Sequence, residues 1–350
     1  MKKIVLFSLL LSASSVSGFS QIGGIAQKSS KKTSLQSFHG RAIVSYNVEN
    51  LFDTIDNKDV IDEEFLPDGK LKWNSERYRI KLDHLVEAIT MNLSENPVII
   101  GLVEIENKGV LEDLKRTGRL AKTNYEIAHK DSPDARGIDC GLLYDKSAFK
   151  LIKMETLKVA IDSIPDFKTR DILYVKGEFK GGKIIHLFVN HWPSRRGGEG
   201  ESEIRRIQAA KVARAKVDEI LKADPKANIV LMGDFNDHPD NVSIKDILKA
   251  KAVTDTGADL VDLFEDDHKA GKGTHNYKGE WGVLDHFIVS KALYNGKNGI
   301  ALSPNDGRIV YEEKLLFTGK DGSKKPSTTY GGPNYYGGYS DHLPIQLMLK

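Results

Sequence analysis

The stretch Ile229-Val-Leu-Met-Gly-Asp-Phe-Asn-Asp-His-Pro239 decides how this chain is read. A short apolar run stops at Gly233, Asp234 and Asn236, the pattern of a buried strand that carries polar groups to the rim of a sheet. Asp234 and Asn236 are two apart, so a continuing strand points both the same way. A carboxylate can hold a water through its proton, and an amide can donate to a phosphate oxygen.

Five other segments end in the same chemistry. Ala42-Ile-Val-Ser-Tyr-Asn-Val-Glu-Asn50 brings Asn47 and Glu49, and Pro97-Val-Ile-Ile-Gly-Leu-Val-Glu-Ile-Glu-Asn107 brings Glu104. Ile184-Ile-His-Leu-Phe-Val-Asn-His-Trp-Pro-Ser194 ends in Asn190 and His191. Val283-Leu-Asp-His-Phe-Ile-Val-Ser290 carries Asp285, and Tyr339-Ser-Asp-His-Leu-Pro-Ile345 carries Asp341 and His342. No pair has the close Cys/His spacing of a structural zinc site. Carboxylate and amide oxygens suit a hard divalent cation such as magnesium, with manganese or calcium as alternatives.

These six motifs stand in the order seen in the endonuclease/exonuclease/phosphatase superfamily, which the chain resembles from about residue 40 to its C-terminus. Gly273-Thr-His-Asn-Tyr-Lys-Gly-Glu-Trp-Gly-Val-Leu-Asp285 is most similar to secreted bacterial nucleases of that superfamily. The resemblance implies a four-layer α/β sandwich of two packed mixed sheets flanked by helices, with the site at one sheet edge. It also implies that Asp285 and His342 form a carboxylate–imidazole pair facing the phosphate. His191 then serves as a second imidazole near the leaving group, as in pancreatic deoxyribonuclease.

Residues 1–20 read as a secretory signal peptide: Lys2 and Lys3 precede an apolar core from Ile4 to Leu11, then small and polar residues follow. The core is too short for a stable membrane anchor, and no cysteine near the cut offers lipid attachment. Periplasm or medium is the expected location. Residues 21–40, rich in Ser, Lys and Gly, read as a flexible leader, and 41–350 as one catalytic domain. Cys140 is the only cysteine, so no intrachain disulfide forms, and its apolar surroundings make it a core residue. Without Lys2 and Lys3 the chain holds 49 cationic against 49 anionic side chains, which argues against strong non-specific adherence to DNA.

Strands are expected at 41–47, 97–104, 124–129, 138–145, 171–179, 183–190, 227–233, 284–289 and 344–349. A helix capped by Ser75 is expected over 75–92, since Leu82, Leu85, Val86 and Ile89 share one face. A second is expected over 202–222, with Ala210, Ala213, Val217, Ile220 and Leu221 inward and Arg/Lys outward. Strands 171–179 and 183–190 are close enough to pair through Gly181-Gly182, which favours mixed sheets over a doubly wound parallel one.

Phosphodiester hydrolysis needs an in-line water, help in deprotonating it, neutralised phosphate charge and a stabilised leaving oxygen. Glu104 is the first choice for a metal ligand, because a carboxylate closing an apolar strand is costly unless a cation meets it. Asn47 and Glu49 complete the metal and phosphate environment, and Asp341 either binds metal or supports His342. Asp234 orients or deprotonates the water, Asn236 holds a phosphate oxygen, and Asn190 belongs to the substrate-binding set. Asp139 is a weaker candidate to orient His191, and His286 reads as structural. Arg136, Arg170 and Arg195 are candidate phosphate clamps, with ordinary surface arginine the competing reading for each. The Gly/Tyr-rich connection from Pro326 to Tyr339 either stacks on bases or packs on its neighbours. The functional expectation is a metal-dependent nuclease acting as a monomer, with no protein partner implied. A phosphoesterase on small or lipid head-group substrates and an inactive binding module are the rivals.

Overall fold

The computed structural model describes residues 41–302 and 305–350. The signal peptide and leader expected over residues 1–40 lie outside the described residues. The chain runs through β1 (Arg41–Leu51), α1 (Ser75–Ile89), β2 (Ile99–Ile105), α2 (Lys108–Lys115), β3 (Tyr125–His129), β4 (Asp139–Asp145), β5 (Phe149–Leu157) and β6 (Ile172–Phe179). It continues through β7 (Lys183–His191), α3 (Glu199–Ala223), β8 (Ile229–Asp234), β9 (Ala250–Lys251) and β10 (Leu260–Asp262). The last part holds β11 (His275–Tyr277), β12 (Glu280–Gly282), β13 (Asp285–Ser290), β14 (Gly307–Ile309), two short hairpins at 316–326 and 330–335, and a final strand, Ile345–Leu349.

Two mixed sheets result. In the six-stranded sheet the order is β14, the final strand, β1, β2, β4, β3; β1 runs parallel to β2 and antiparallel to the final strand. In the seven-stranded sheet the order is β5-β6-β7-β8-β13-β10-β9, with β7 parallel to β8 and β8 antiparallel to β13. Period-two alternation on buried strands supplies two apolar faces to each sheet. Ile43, Ile99 and Leu142 of the first sheet meet Val189, Val230, Met232 and Phe287 of the second in a shared core. The opposite face of the first sheet, with Val44, Tyr46 and Leu102, packs under Leu82, Leu85 and Ile89 of α1 and Leu111 of α2. That of the second, with Phe188, Ile229 and Leu231, packs under Ala209, Ala213 and Val217 of α3. Helix, sheet, sheet, helix is the four-layer sandwich expected.

The expected strands and helices appear within a few residues, with three corrections. Asn74, not Ser75, caps α1: its side chain accepts the Arg77 N–H at 3.0 Å. The helix simply starts one position earlier on an equally good cap. The arginines of α3 are not all outward, since Arg206 is fully buried. Strand β5 has no counterpart among the expected ones, because it is an edge strand whose Lys150, Ile152, Lys153 and Met154 face solvent. The hairpin through Gly181-Gly182 forms as expected, with φ of +111° and +83° at the two glycines. No helix among the described residues is long and apolar enough to cross a membrane.

Candidate active site

The two central strands of the second sheet and those of the first end at one rim. In the parallel pair β7–β8, Asn190 stands opposite Gly233 and His191 opposite Asp234. A side chain at Gly233 would place Cβ 2.0 Å from the Asn190 carbonyl oxygen, and φ is +124° there, so only glycine lets β8 deliver Asp234 to the rim. Across β8–β13, Asp285 lies opposite Asp234.

The first sheet reaches the same rim through two bulges, between Asn47 and Leu51 on β1 and between Val103 and Ile105 on β2. Bulges re-aim side chains. Of the nine non-glycine residues with positive φ among the described residues, Glu49, Asn50, Glu104 and Asn236 are four. Strained backbone concentrated at one rim marks a place where geometry serves something other than stability. Asn236 also corrects the expectation of a continuing strand. At φ +53° the chain turns back after Asp234, and the Asn236 N–H binds Asp234 Oδ1 at 2.8 Å.

Asp234 is the hub. Its Oδ2 accepts from Asn47 Nδ2 at 3.1 Å and from Asn236 Nδ2 at 3.2 Å, and stands 3.8 Å from both His191 Nε2 and His342 Nε2. Burial pushes its carboxyl up to about 7, with Asp285 reinforcing and His342 opposing the shift. Asp285 Oδ2 holds His342 Nδ1 at 2.6 Å, which fixes the ring and turns Nε2 toward Asp234. Although burial opposes it, Asp285 and Asp234 carry the His342 imidazole well above its ordinary value. His191 behaves oppositely: burial, then Arg170 and Arg136, hold it well below, and its Nδ1 has no hydrogen-bond partner among the described residues. Two imidazoles shifted in opposite directions therefore face one carboxylate.

Glu104 Oε2 accepts the Asn50 N–H at 3.0 Å, and its Oε1 lies 3.6 Å from His191. Glu49 accepts from the Thr328 hydroxyl and, at 2.7 Å, from the Thr329 N–H; Lys81 Nζ is 3.6 Å away. Burial raises both carboxyls, and Asp341 raises both further. Asp341 also belongs to a tight group with His275 and His342, whose ligand atoms all lie within 4.8 Å of one another. Among the described residues the other such group is His129, Asp131 and Asp139, so Glu49, Glu104 and Asp341 share a field rather than a closed cage.

Other expected site residues are turned to structural contacts or stand beside the rim. Asn190 is fully buried, its amide held by the Met232 and Phe188 carbonyls and its oxygen by Trp192 Nε1, so it ties the strand ends together and does not face substrate. Arg195 is spent on the Asn236 carbonyl, on Asn241 and on Asp237, which makes it a brace for the Asn236 turn. Arg170 is buried between Asp134 and the Trp192 carbonyl, and Arg136 is exposed beside it. Asp139 binds His129 at 3.1 Å rather than His191. His286 is structural, held by Asp262 and the Asp237 carbonyl. Most tyrosines of the 326–339 connection pack inward: Tyr330 and Tyr335 against each other, with Trp73 beside Tyr330, and Tyr339 on His84.

Two residues escaped the sequence reading. Lys81 is almost wholly buried in α1, donating to Thr329 Oγ1 at 2.6 Å and the Tyr339 carbonyl at 2.8 Å. Its place beside Leu82 and Leu85 on the inward face is the signal that was available. His275 lies against the His342 ring at 4.8 Å through an isolated β-bridge, and burial holds its imidazole down at about 3. Nothing in local spacing announces that pairing.

A model of the Endonuclease/Exonuclease/phosphatase family matches residues 42–350. The chain is 25% identical over 268 residues to Protein angel of Drosophila melanogaster, covering 71% of this chain and 67% of that protein. Among solved structures, mannosyl-6-phosphatase Bt3783 of Bacteroides thetaiotaomicron superposes with a TM-score of 0.53 at 17% identity, covering 89% of this chain and 99% of the other. The human Nocturnin catalytic domain with bound sulfate gives 0.53 at 16% identity, covering 89% and 94%. TDP2 of D. rerio, complexed with single strand DNA product, gives 0.50 at 15% identity, covering 89% and 98%.

Proposed function

Because the chain belongs to the endonuclease/exonuclease/phosphatase family, we propose that it is an exported, divalent-metal-dependent phosphodiester hydrolase acting on nucleic acid. The observation that carries this reading is Asp234 set between two imidazoles, 3.8 Å from each, next to Glu104. Asp234 orients and deprotonates the attacking water; a carboxyl near 7 suits a general base at neutral pH. His342, held charged by Asp285, neutralises phosphate charge, and neutral His191 and the Asn47 amide hold the remaining oxygens.

The donor set fits a hard cation. Glu49 and Glu104 are partly buried carboxylates on strained backbone; desolvation and the field of Asp341 disfavour their charge, and a divalent ion reverses that balance. Glu49, Glu104 and Asp341 would hold it, where it supplies charge neutralisation on the phosphoryl oxygens. Export rests on the N-terminal signal-like segment. The choice of nucleic acid rests on the exposed cations beside the rim, Arg136 and Arg196 among them.

The test assays purified protein on plasmid, linear DNA, RNA, bis-p-nitrophenyl phosphate and sphingomyelin with magnesium, alongside Asp234→Asn. Nucleic acid is expected to be cleaved, and the variant to lose ~10²–10⁴ in turnover. Cleavage of sphingomyelin alone moves the assignment to lipid head groups. Near-normal turnover in Asp234→Asn removes Asp234 from water activation.

A further inference from the structure

Beside the rim lies a cleft of about 340 Å³ whose lining includes five cationic residues and no carboxylate. In a chain with 51 basic and 49 acidic residues, that local imbalance is not inherited from composition. We propose that this cleft, walled by Arg136, Lys168, Thr169, Arg170, Arg196 and Arg205, binds a phosphate group of the substrate other than the one cleaved. The proposal rests on the phosphodiesterase reading and narrows it to substrates that carry at least two phosphates.

The floor of the cleft is built for an anion. Thr169 and Arg170 are 2% and 6% exposed, yet Thr169 Oγ1 and Arg170 Nε have no partner among the described residues. A buried guanidinium N–H without an acceptor is costly, and the positive field of Arg170 at the floor favours an anion in the cleft above it. Arg170 is rigid, since Asp134 holds Nη1 at 3.0 Å and the Trp192 carbonyl holds Nη2 at 2.8 Å.

The walls show the same division of labour twice. In Arg195-Arg196 and again in Arg205-Arg206, one arginine is ion-paired to Asp237 and the other stands exposed at the cleft. Arg196, Arg205 and Lys168 have no ion-pair partner among the described residues, so their charge remains available; Arg205 rests over the Phe167 ring at 5.7 Å. Guanidinium forks suit phosphate oxygens.

The cleft is distinct from the catalytic rim but joined to it. The Trp192 carbonyl accepts from Arg170 on the cleft side and from Asn236 Nδ2 on the rim side, at 3.0 Å. A phosphate at Asp234 and a phosphate at Arg170 are therefore held by neighbouring groups of one scaffold. A substrate with a single phosphate fills only the first.

The experiment compares the thymidine dinucleotide TpT with TpTp, whose second phosphate is terminal, and with TpTpT, whose second is internucleotide. The intact protein is expected to show a KM roughly tenfold or more lower for at least one two-phosphate substrate than for TpT. In the double variant Arg196→Ala/Arg205→Ala, with its fold checked by circular dichroism, that preference collapses toward one. Whichever two-phosphate substrate is preferred identifies the source of the second phosphate. Equal KM for all three substrates, or a preference that survives in the variant, overturns the proposal. If no substrate is hydrolysed, the phosphodiesterase reading fails on its own. Calorimetric binding of thymidine 3′,5′-bisphosphate then decides the cleft separately: binding that is roughly tenfold or more weaker in the double variant supports it, and equal binding refutes it.

Discussion

Two sets of carboxylates, one enclosed behind the rim and one partly buried at it, are treated in opposite ways. Behind the rim, where α3 meets the segment after β8, Asp237 is almost completely enclosed yet well served: Arg206 at 2.7 Å, Arg195 at 3.3 Å and the Ser243 hydroxyl at 2.6 Å. Asp134 likewise has Arg170 at 3.0 Å. At the rim, Glu104 has one backbone N–H and a distant imidazole, and among the described residues no lysine or arginine within ion-pair distance. Burial raises its carboxyl. A fold that pairs Asp237 directly with two arginines, and leaves Glu104 only the longer-range field of Arg136 and Arg170, has left the second charge to be met from outside. The difference separates carboxylates that hold the sandwich together from those that work.

Removing one charge from each set in chelator, where no divalent ion contributes, should move stability in opposite directions. Asp237→Asn deprives two arginines of their partner, one of them fully buried, and should cost about 3–5 kcal/mol of stability. Glu104→Gln removes a charge the metal-free fold disfavours, so its thermal midpoint should rise. With magnesium or manganese added, the intact protein should gain stability and Glu104→Gln should gain much less. Thermal unfolding of the variants checks both signs; parallel destabilisation of the two would erase the distinction.

Glu106 sharpens the comparison from between. It accepts the Asp53 N–H at 2.7 Å but has no ion-pair partner among the described residues, and burial pushes its carboxyl up to about 7. A raised carboxylic pKa means the folded state holds the proton more tightly than the unfolded one. Its stability contribution is therefore present below the ordinary glutamate range and lost as pH rises toward about 7. Glu106→Gln keeps the acceptor and removes the charge. In chelator its stability should fall less than that of the intact protein between pH 5 and 8, by about 1–3 kcal/mol. Superimposable pH profiles would show that Glu106 is not buried uncompensated.

Much of this was legible in the chain. The apolar runs that end in Asn47, Glu104, His191 and Asp234, and the one that Asp285 opens, place those residues near strand ends because a buried strand has nowhere else to carry a polar group. What stayed hidden depends on the third dimension. Asn236 meets Asp234 through a left-handed turn, and Glu49 and Glu104 are re-aimed at the rim by bulges, none of which leaves a periodic trace. Lys81 finds Thr329 and Tyr339, and His275 finds His342, across separations no local pattern encodes. Asn190 and Arg195 carry the right chemistry in the right motif but face inward, because the strand end and the Asn236 turn each need a tie. Residue type indicated what chemistry was present; only packing indicated which groups remained free to use it.

The most direct test of the central claim is hydrolysis of bis-p-nitrophenyl phosphate by exhaustively chelated protein, before and after adding magnesium or manganese. Glu104, left without an ion-pair partner among the described residues, predicts loss of activity in chelator and its return with the ion. Full activity after exhaustive chelation would contradict the account.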